Sequence, residues 1–184
     1  MMRAGPGPRR GPGGRTTAPR EYRHMADTAK VQDRRKLRFQ SIGDLVADLD
    51  RIVAAERAGT VRRTGNWTAG QAFGHLAAWI NYAYEGFPMK VPWLIRFLVR
   101  RKKATYLKEG MPAGVRIPRV PNGTFGTAVL GTEDGAAQLR EALRRLQDRE
   151  PAKFESPAFG PMSMEERIAL NLRHAELHLS FFHP

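Results

Sequence analysis

Apolar residues recur at helical spacing in several separate stretches of the chain, and most of these stretches open on a polar capping residue. Ser41-Ile-Gly-Asp44 has capping-box form and precedes Leu45, Leu49, Ile52 and Val53, with Gly59 as the stop. Thr64-Gly-Asn-Trp67 reads as a turn. Thr68-Ala-Gly-Gln71 is a second box, and the helix after it carries Ala72, Phe73, Leu76, Trp79, Ile80 and Ala83 on one face, ending near Gly86-Phe-Pro88. Pro92 suits the first turn of a third helix running to about Lys108. Thr132 is expected to cap a fourth, with Leu139, Leu143 and Leu146 inward. In that helix Glu133 and Asp134 lie at the positive end of the dipole, and Arg144, Arg145 and Arg149 near the negative end. Ser163-Met-Glu-Glu166 opens the last helix after a turn-rich link, Ser156-Pro-Ala-Phe-Gly-Pro161.

No run alternates long enough to predict a strand. The expected fold is all-α: four main helices and a shorter, more variable one, with a long irregular connection over 109–131. That connection holds Gly110, Pro112, Gly114, Pro118, Pro121, Gly123, Gly126 and Gly131. Structureless connections of this length are uncommon unless functional or disordered. The helical domain is expected over 35–184. Residues 1–34 are expected to form a disordered basic tail rich in Gly, Pro and Arg, with Met25 as the expected true start.

Net charge is +13, and it is unevenly placed. Residues 1–24 contribute +5 and residues 90–119 contribute +8, so the rest is close to neutral. The basic segment includes Arg96, Arg100, Arg101, Lys102, Lys103, Lys108, Arg116 and Arg119. It reads as an anion-binding rim for a small substrate, a nonspecific nucleic-acid surface, a membrane-surface helix using Trp93, Leu94, Phe97 and Leu98, or a solvated face. Nucleic acid is the less favoured partner. With no cysteine, disulfides and thiolate metal sites are excluded. The longest apolar run, Val91 to Val99, contains Pro92 and Arg96 and is far short of the roughly 20 residues of a membrane span. No apolar leader segment is evident, which makes a cytoplasmic location the expectation.

The candidate chemistry lies in the last helix. Wound at about 100° per residue, Glu165, Glu166, Arg173, Glu176 and Ser180 share one arc, expected to face water. Asn171, His174 and His178 fall opposite, flanked by Leu172, Ala175, Leu179 and Phe182 on one edge and by Leu170, Leu177 and Phe181 on the other. Imidazoles on an apolar face need partners, because an unpaired buried polar group costs on the order of 1–3 kcal/mol. They can hydrogen-bond one another, or they can share a metal ion. His75, on the border of the second helix's buried face, is placed to join them. Three nitrogen ligands leave positions open for water or substrate, the pattern of a catalytic site. Zinc, nickel, iron and copper all suit imidazole. Glu176 follows His174 by two residues and points away, so this is not the zincin arrangement. Gln71 and Asn171 are candidate groups to orient the ligands. Trp79, Tyr82, Arg100 and Arg101 are candidate substrate contacts, and no carboxylate is positioned as a general base.

The run Gly65-Asn-Trp-Thr-Ala-Gly-Gln-Ala-Phe-Gly-His75-Leu-Ala resembles the second-helix signature of the DinB-like superfamily of metal-dependent four-helix bundles. The ending Arg173-His-Ala-Glu-Leu-His178-Leu is similar to that superfamily's last-helix motif. A Pro-x-Phe-Gly turn, here Pro157-Ala-Phe-Gly160, points to one branch of it. The resemblance covers about residues 35–184 and implies a DinB-like four-helix bundle with His75, His174 and His178 as ligands of a divalent metal (zinc, nickel or iron). That branch is expected to carry His just before the turn and an aromatic residue near position 167, where this chain has Ser156 and Arg167. The implied activity is a thiol-dependent transferase, or a hydrolase, acting on a small molecule. Its expected partners are an anionic substrate or a low-molecular-weight thiol, and a homodimer is open to it. The alternative is a non-catalytic helical binding protein using residues 96–119 to contact an anionic partner.

Overall fold

Ser41 accepts a hydrogen bond from the Asp44 amide at 3.1 Å while the Asp44 carboxylate accepts one from the Ser41 amide, and this reciprocal cap opens α1 (Ile42–Ala58). Gly59 closes it in the left-handed conformation, φ 68°. The computed structural model describes residues 26–118, 120 and 123–184. The expectations for residues 1–24 and Met25 lie outside the described residues, as does Arg119.

After α1 come α2 (Ala69–Glu85), α3 (Trp93–Arg101), α4 (Lys103–Glu109), α5 (Thr132–Gln147) and α6 (Met164–Leu179). The chain is mostly helical, as its periodicity predicts. The core is supplied by Leu45, Leu49, Ile52 and Val53 of α1, Phe73, Leu76 and Ile80 of α2, Leu139, Leu143 and Leu146 of α5, and Leu172 and Leu179 of α6. α2 packs along α5 most extensively. A methyl group on Gly135 of α5 would run into the Gly70 backbone of α2, and one on Gly70 would run into the backbone of Leu130 and Gly131 just before α5.

Several local expectations need correction. Thr68 caps α2 through the Gln71 amide, but the Gln71 side chain donates to the Thr127 carbonyl at 3.2 Å instead of closing a box. The cap of α5 is Gly131, and Thr132 is its first helical residue. The expected third helix is broken at Lys102 into α3 and α4, and neither piece buries a residue. A strand pair also exists, antiparallel β1 (Arg62–Arg63) with β2 (Phe182–His183). At two residues each, these strands are too short to leave a period-2 signal.

The solvent-facing arc expected on α6 is partly wrong. Arg173, Glu176 and Ser180 are buried, while Glu165 stays exposed. The segment leading into α1 covers them. Glu176 accepts from the Phe39 amide at 2.6 Å and pairs with Arg173 at 2.8 Å, while Arg173 donates to the Phe39 carbonyl. Arg35 binds the Ser180 carbonyl through its amide and the fully buried Asp48 through two guanidinium contacts of 2.8 and 2.7 Å. Arg34 donates to Ser180 Oγ at 2.9 Å and lies 4.6 Å over the Phe181 ring. Ala26 exchanges two 2.8 Å hydrogen bonds with the Asn66 side chain. Residues 26–34, assigned by composition to the tail, therefore make specific contacts with the helical body.

Candidate metal centre

α2 presents His75 near the middle of its length, where the apolar stripe buries it to 1% exposure. α6 presents His174 and His178 one turn apart, half-buried. The β1–β2 pair and the Thr64 amide, bound to the Phe181 carbonyl at 3.0 Å, hold the end of α6 beside the start of α2. The three rings converge as a result. His75 Nε2 lies 3.2 Å from His174 Nε2, and His178 Nε2 lies 3.1 Å from the same atom. All three donor atoms fall within 4.8 Å of one another, and this is the one such cluster among the described residues.

A carbonyl from the long connection fixes the tautomer of His75. Phe125 O sits 2.8 Å from His75 Nδ1 and can only accept, so Nδ1 carries the hydrogen and Nε2 keeps its lone pair. Burial pushes the His75 pKa down to about 4, opposed weakly by that hydrogen bond. Burial likewise holds His174 and His178 well below the usual imidazole range, and the neighbouring rings add to the shift. Near neutral pH each ring therefore carries one hydrogen. That count leaves the cluster short. With the His75 Nε2 hydrogen absent, a hydrogen on His174 Nε2 serves His75, and one on His178 Nε2 serves His174, but the two cannot coexist. One of the two close contacts always sets lone pair against lone pair or lacks its donor.

Three lone pairs aimed at one divalent ion would remove this conflict. Nitrogens at 2.0–2.1 Å from a tetrahedral ion stand about 3.3 Å apart, close to the two separations seen here. The donor set fits a borderline cation such as zinc, nickel or iron.

Aromatic rings wall the cluster. Trp67 stacks on His178 with centroids 5.0 Å apart and planes 4° from parallel, and meets His75 edge-on at 4.8 Å. Trp79 lies 6.0 Å from His75 and 5.8 Å from His174, and its buried Nε1 has no hydrogen-bond partner among the described residues. Tyr82 packs between Trp79 and Phe87, and burial raises its pKa. Trp67 read as a turn residue in the sequence, and the Phe125 carbonyl leaves no side-chain signal at all.

The other expected residues are placed differently. Asn171 donates back to the Arg167 carbonyl at 2.9 Å within its own helix. Gln71 holds the connection through Thr127, so it acts on His75 only by way of the Phe125 segment. Arg100 packs against Gly160, and Arg101 lies 4.7 Å over the Phe97 ring; both are exposed and neither contacts the histidines. Ser156 serves the turn, its Oγ accepting from the Phe159 amide at 3.1 Å, and Arg167 donates to the Phe154 carbonyl. Glu176 is committed to Phe39 and Arg173, so it does not supply the cluster with a base. No described helix is long and apolar enough to cross a membrane.

Residues 31–184 match the family described as protein of unknown function (DUF1569), and the chain belongs to that family. No curated protein and no solved structure matches it.

Proposed function

We propose that this family member is a metal-dependent enzyme acting on a small molecule, with His75, His174 and His178 as the ligands of one divalent cation. The observation that carries this is the convergence of three Nε2 atoms, 3.2 and 3.1 Å apart, with too few hydrogens to satisfy one another. We read the four long helices α1, α2, α5 and α6, which supply the core, as a DinB-like four-helix bundle, in keeping with the histidine spacing. A cation held there would lower the pKa of a bound water or thiol toward neutrality and so supply a nucleophile. The Phe125 carbonyl keeps His75 in the ligating tautomer. Gln71 steadies that carbonyl's segment through Thr127, and Trp67 and Trp79 exclude water from two sides of the rings. With no carboxylate in the cluster among the described residues, a nucleophile activated by the cation itself is what the site favours, as in a thiol-dependent transferase or a simple hydrolase.

The test is turnover of a panel of small electrophiles, with and without a low-molecular-weight thiol, by protein stripped with chelator and then reloaded with zinc, nickel or iron. Turnover is expected only after reloading, and not in His178→Ala. Loading without turnover on any of the panel would leave a metal-binding protein and remove the enzyme.

A second reading, a binding protein that uses residues 96–119 on an anionic partner, is favoured by the exposure of Arg100 and Arg101. It predicts that partner capture survives replacement of the histidines.

A further inference from the structure

α3 turns its large apolar side chains outward. Trp93 is 79% exposed, Leu94 54%, Phe97 50% and Leu98 55%. On a helical wheel these four share one arc with Arg101, whose guanidinium rests on the Phe97 ring. Such a contiguous exposed patch marks a contact surface.

The α3–α4 unit is fastened by its other side. Arg96 reaches Glu155 at 3.4 Å, and Lys103 binds Glu166 at 2.6 Å and the Pro161 carbonyl at 3.2 Å. Tyr106 packs on Phe159 with centroids 6.0 Å apart. Those cations are used internally. Lys90, Arg100, Arg101 and Lys102 are exposed and form no ion pair among the described residues. No acidic residue occurs between Glu85 and Glu109. The face is thus apolar at its centre, cationic around it and free of carboxylates.

Charge decides what such a face accepts. A second copy placed face to face would oppose cation to cation. An anionic lipid surface supplies both hydrocarbon for the tryptophan, phenylalanine and leucines and phosphate or carboxylate for the arginines and lysines, the pattern of an interfacial amphipathic helix. We propose that α3 docks the protein on anionic membranes, laying Trp93, Leu94, Phe97 and Leu98 into the headgroup boundary while Arg100, Arg101 and Lys102 bind headgroups. The contact is peripheral, and it is independent of what the histidine cluster does.

The test is co-sedimentation of the full chain with phosphatidylcholine vesicles and with vesicles of phosphatidylcholine mixed with phosphatidylserine. Binding is expected to the mixed vesicles and to fall with added salt. Basic residues near an anionic surface contribute about 1 kcal/mol each, so Arg100→Gln, Arg101→Gln and Lys102→Gln together should weaken binding on the order of 100-fold. Leu94→Gln with Phe97→Gln should abolish it while circular dichroism stays unchanged, because both side chains are exposed. No sedimentation of the wild type with mixed vesicles would overturn the proposal. So would binding that survives the Leu94 and Phe97 changes, since another basic region would then carry it. A dimer in light scattering that the Phe97→Gln change dissociates would assign the face to a second copy instead.

Discussion

His75 donates its Nδ1 hydrogen to the carbonyl of Phe125 at 2.8 Å, tying a buried ring on α2 to the irregular chain between α4 and α5. Gly126, the next residue, has φ 69° and approaches α2 so closely that an added methyl would sit 2.8 Å from Ala78 Cβ. Gly126→Ala should push the carbonyl off His75. Outer partners of metal-binding histidines typically account for 10–100-fold in affinity. A loss of about tenfold is expected in calorimetric titration with zinc, with far-ultraviolet circular dichroism unchanged. Unaltered affinity would show that the Phe125 contact does not orient the ring.

Acid should destabilise the metal-free protein over a defined window. An unfolded chain protonates its histidines below about pH 6.5, whereas folded His75 resists until about pH 4. Stability from this source is present above pH 6.5 and is lost as pH falls from 6.5 toward 4, by on the order of 3 kcal/mol for His75. His174 and His178 shift in the same direction and add to the loss. Urea unfolding at a series of pH values checks this, and a flat profile across the window would contradict it.

Asp48 is fully buried and neutralises Arg35 at 2.7 Å and Arg51 at 2.8 Å. Asp48→Ala would leave the Arg35 guanidinium largely enclosed with only the Leu179 carbonyl at 3.0 Å. Breaking a buried pair from one side costs about 3–5 kcal/mol. Calorimetry should show a fall in Tm of roughly 10 °C. A change no larger than that of an exposed substitution would mean the N-terminal segment does not fasten the fold.

Trp67 lies flat on His178, so metal entry should register in its emission. Nickel titration is expected to quench the wild-type fluorescence, with Trp67→Leu removing a large share of the quench and loosening the ring it supports. Full quenching retained in Trp67→Leu would place the ion elsewhere.

What the sequence made legible follows from how local each signal is. The serine boxes at Ser41 and Ser163 act within one turn of chain, and the leucines of α1 and α5 repeat at the helical period, so both appear as expected. His75 and the pair on α6 could be named as candidates from their places beside apolar faces, but only the resemblance to the DinB-like superfamily grouped all three as one set. Signals that depend on distant chain were not readable. Arg173 and Glu176 look like a solvated face until Phe39 is laid across them. β1 and β2 pair residues more than a hundred positions apart. The Phe125 carbonyl is backbone, which no residue type announces. The apolar side chains of α3 carry helical spacing like any core helix, and only the fold reveals that they face outward.

The sharpest check on the three-histidine site is the metal content of the untagged protein, measured by mass spectrometry after dialysis against zinc. Close to one equivalent per chain is expected in the wild type, with loss of it in His174→Ala, whose ring nitrogen lies 3.2 and 3.1 Å from those of the other two histidines. Wild-type protein that retains no metal, or a His174→Ala variant that retains as much, would contradict a three-histidine site.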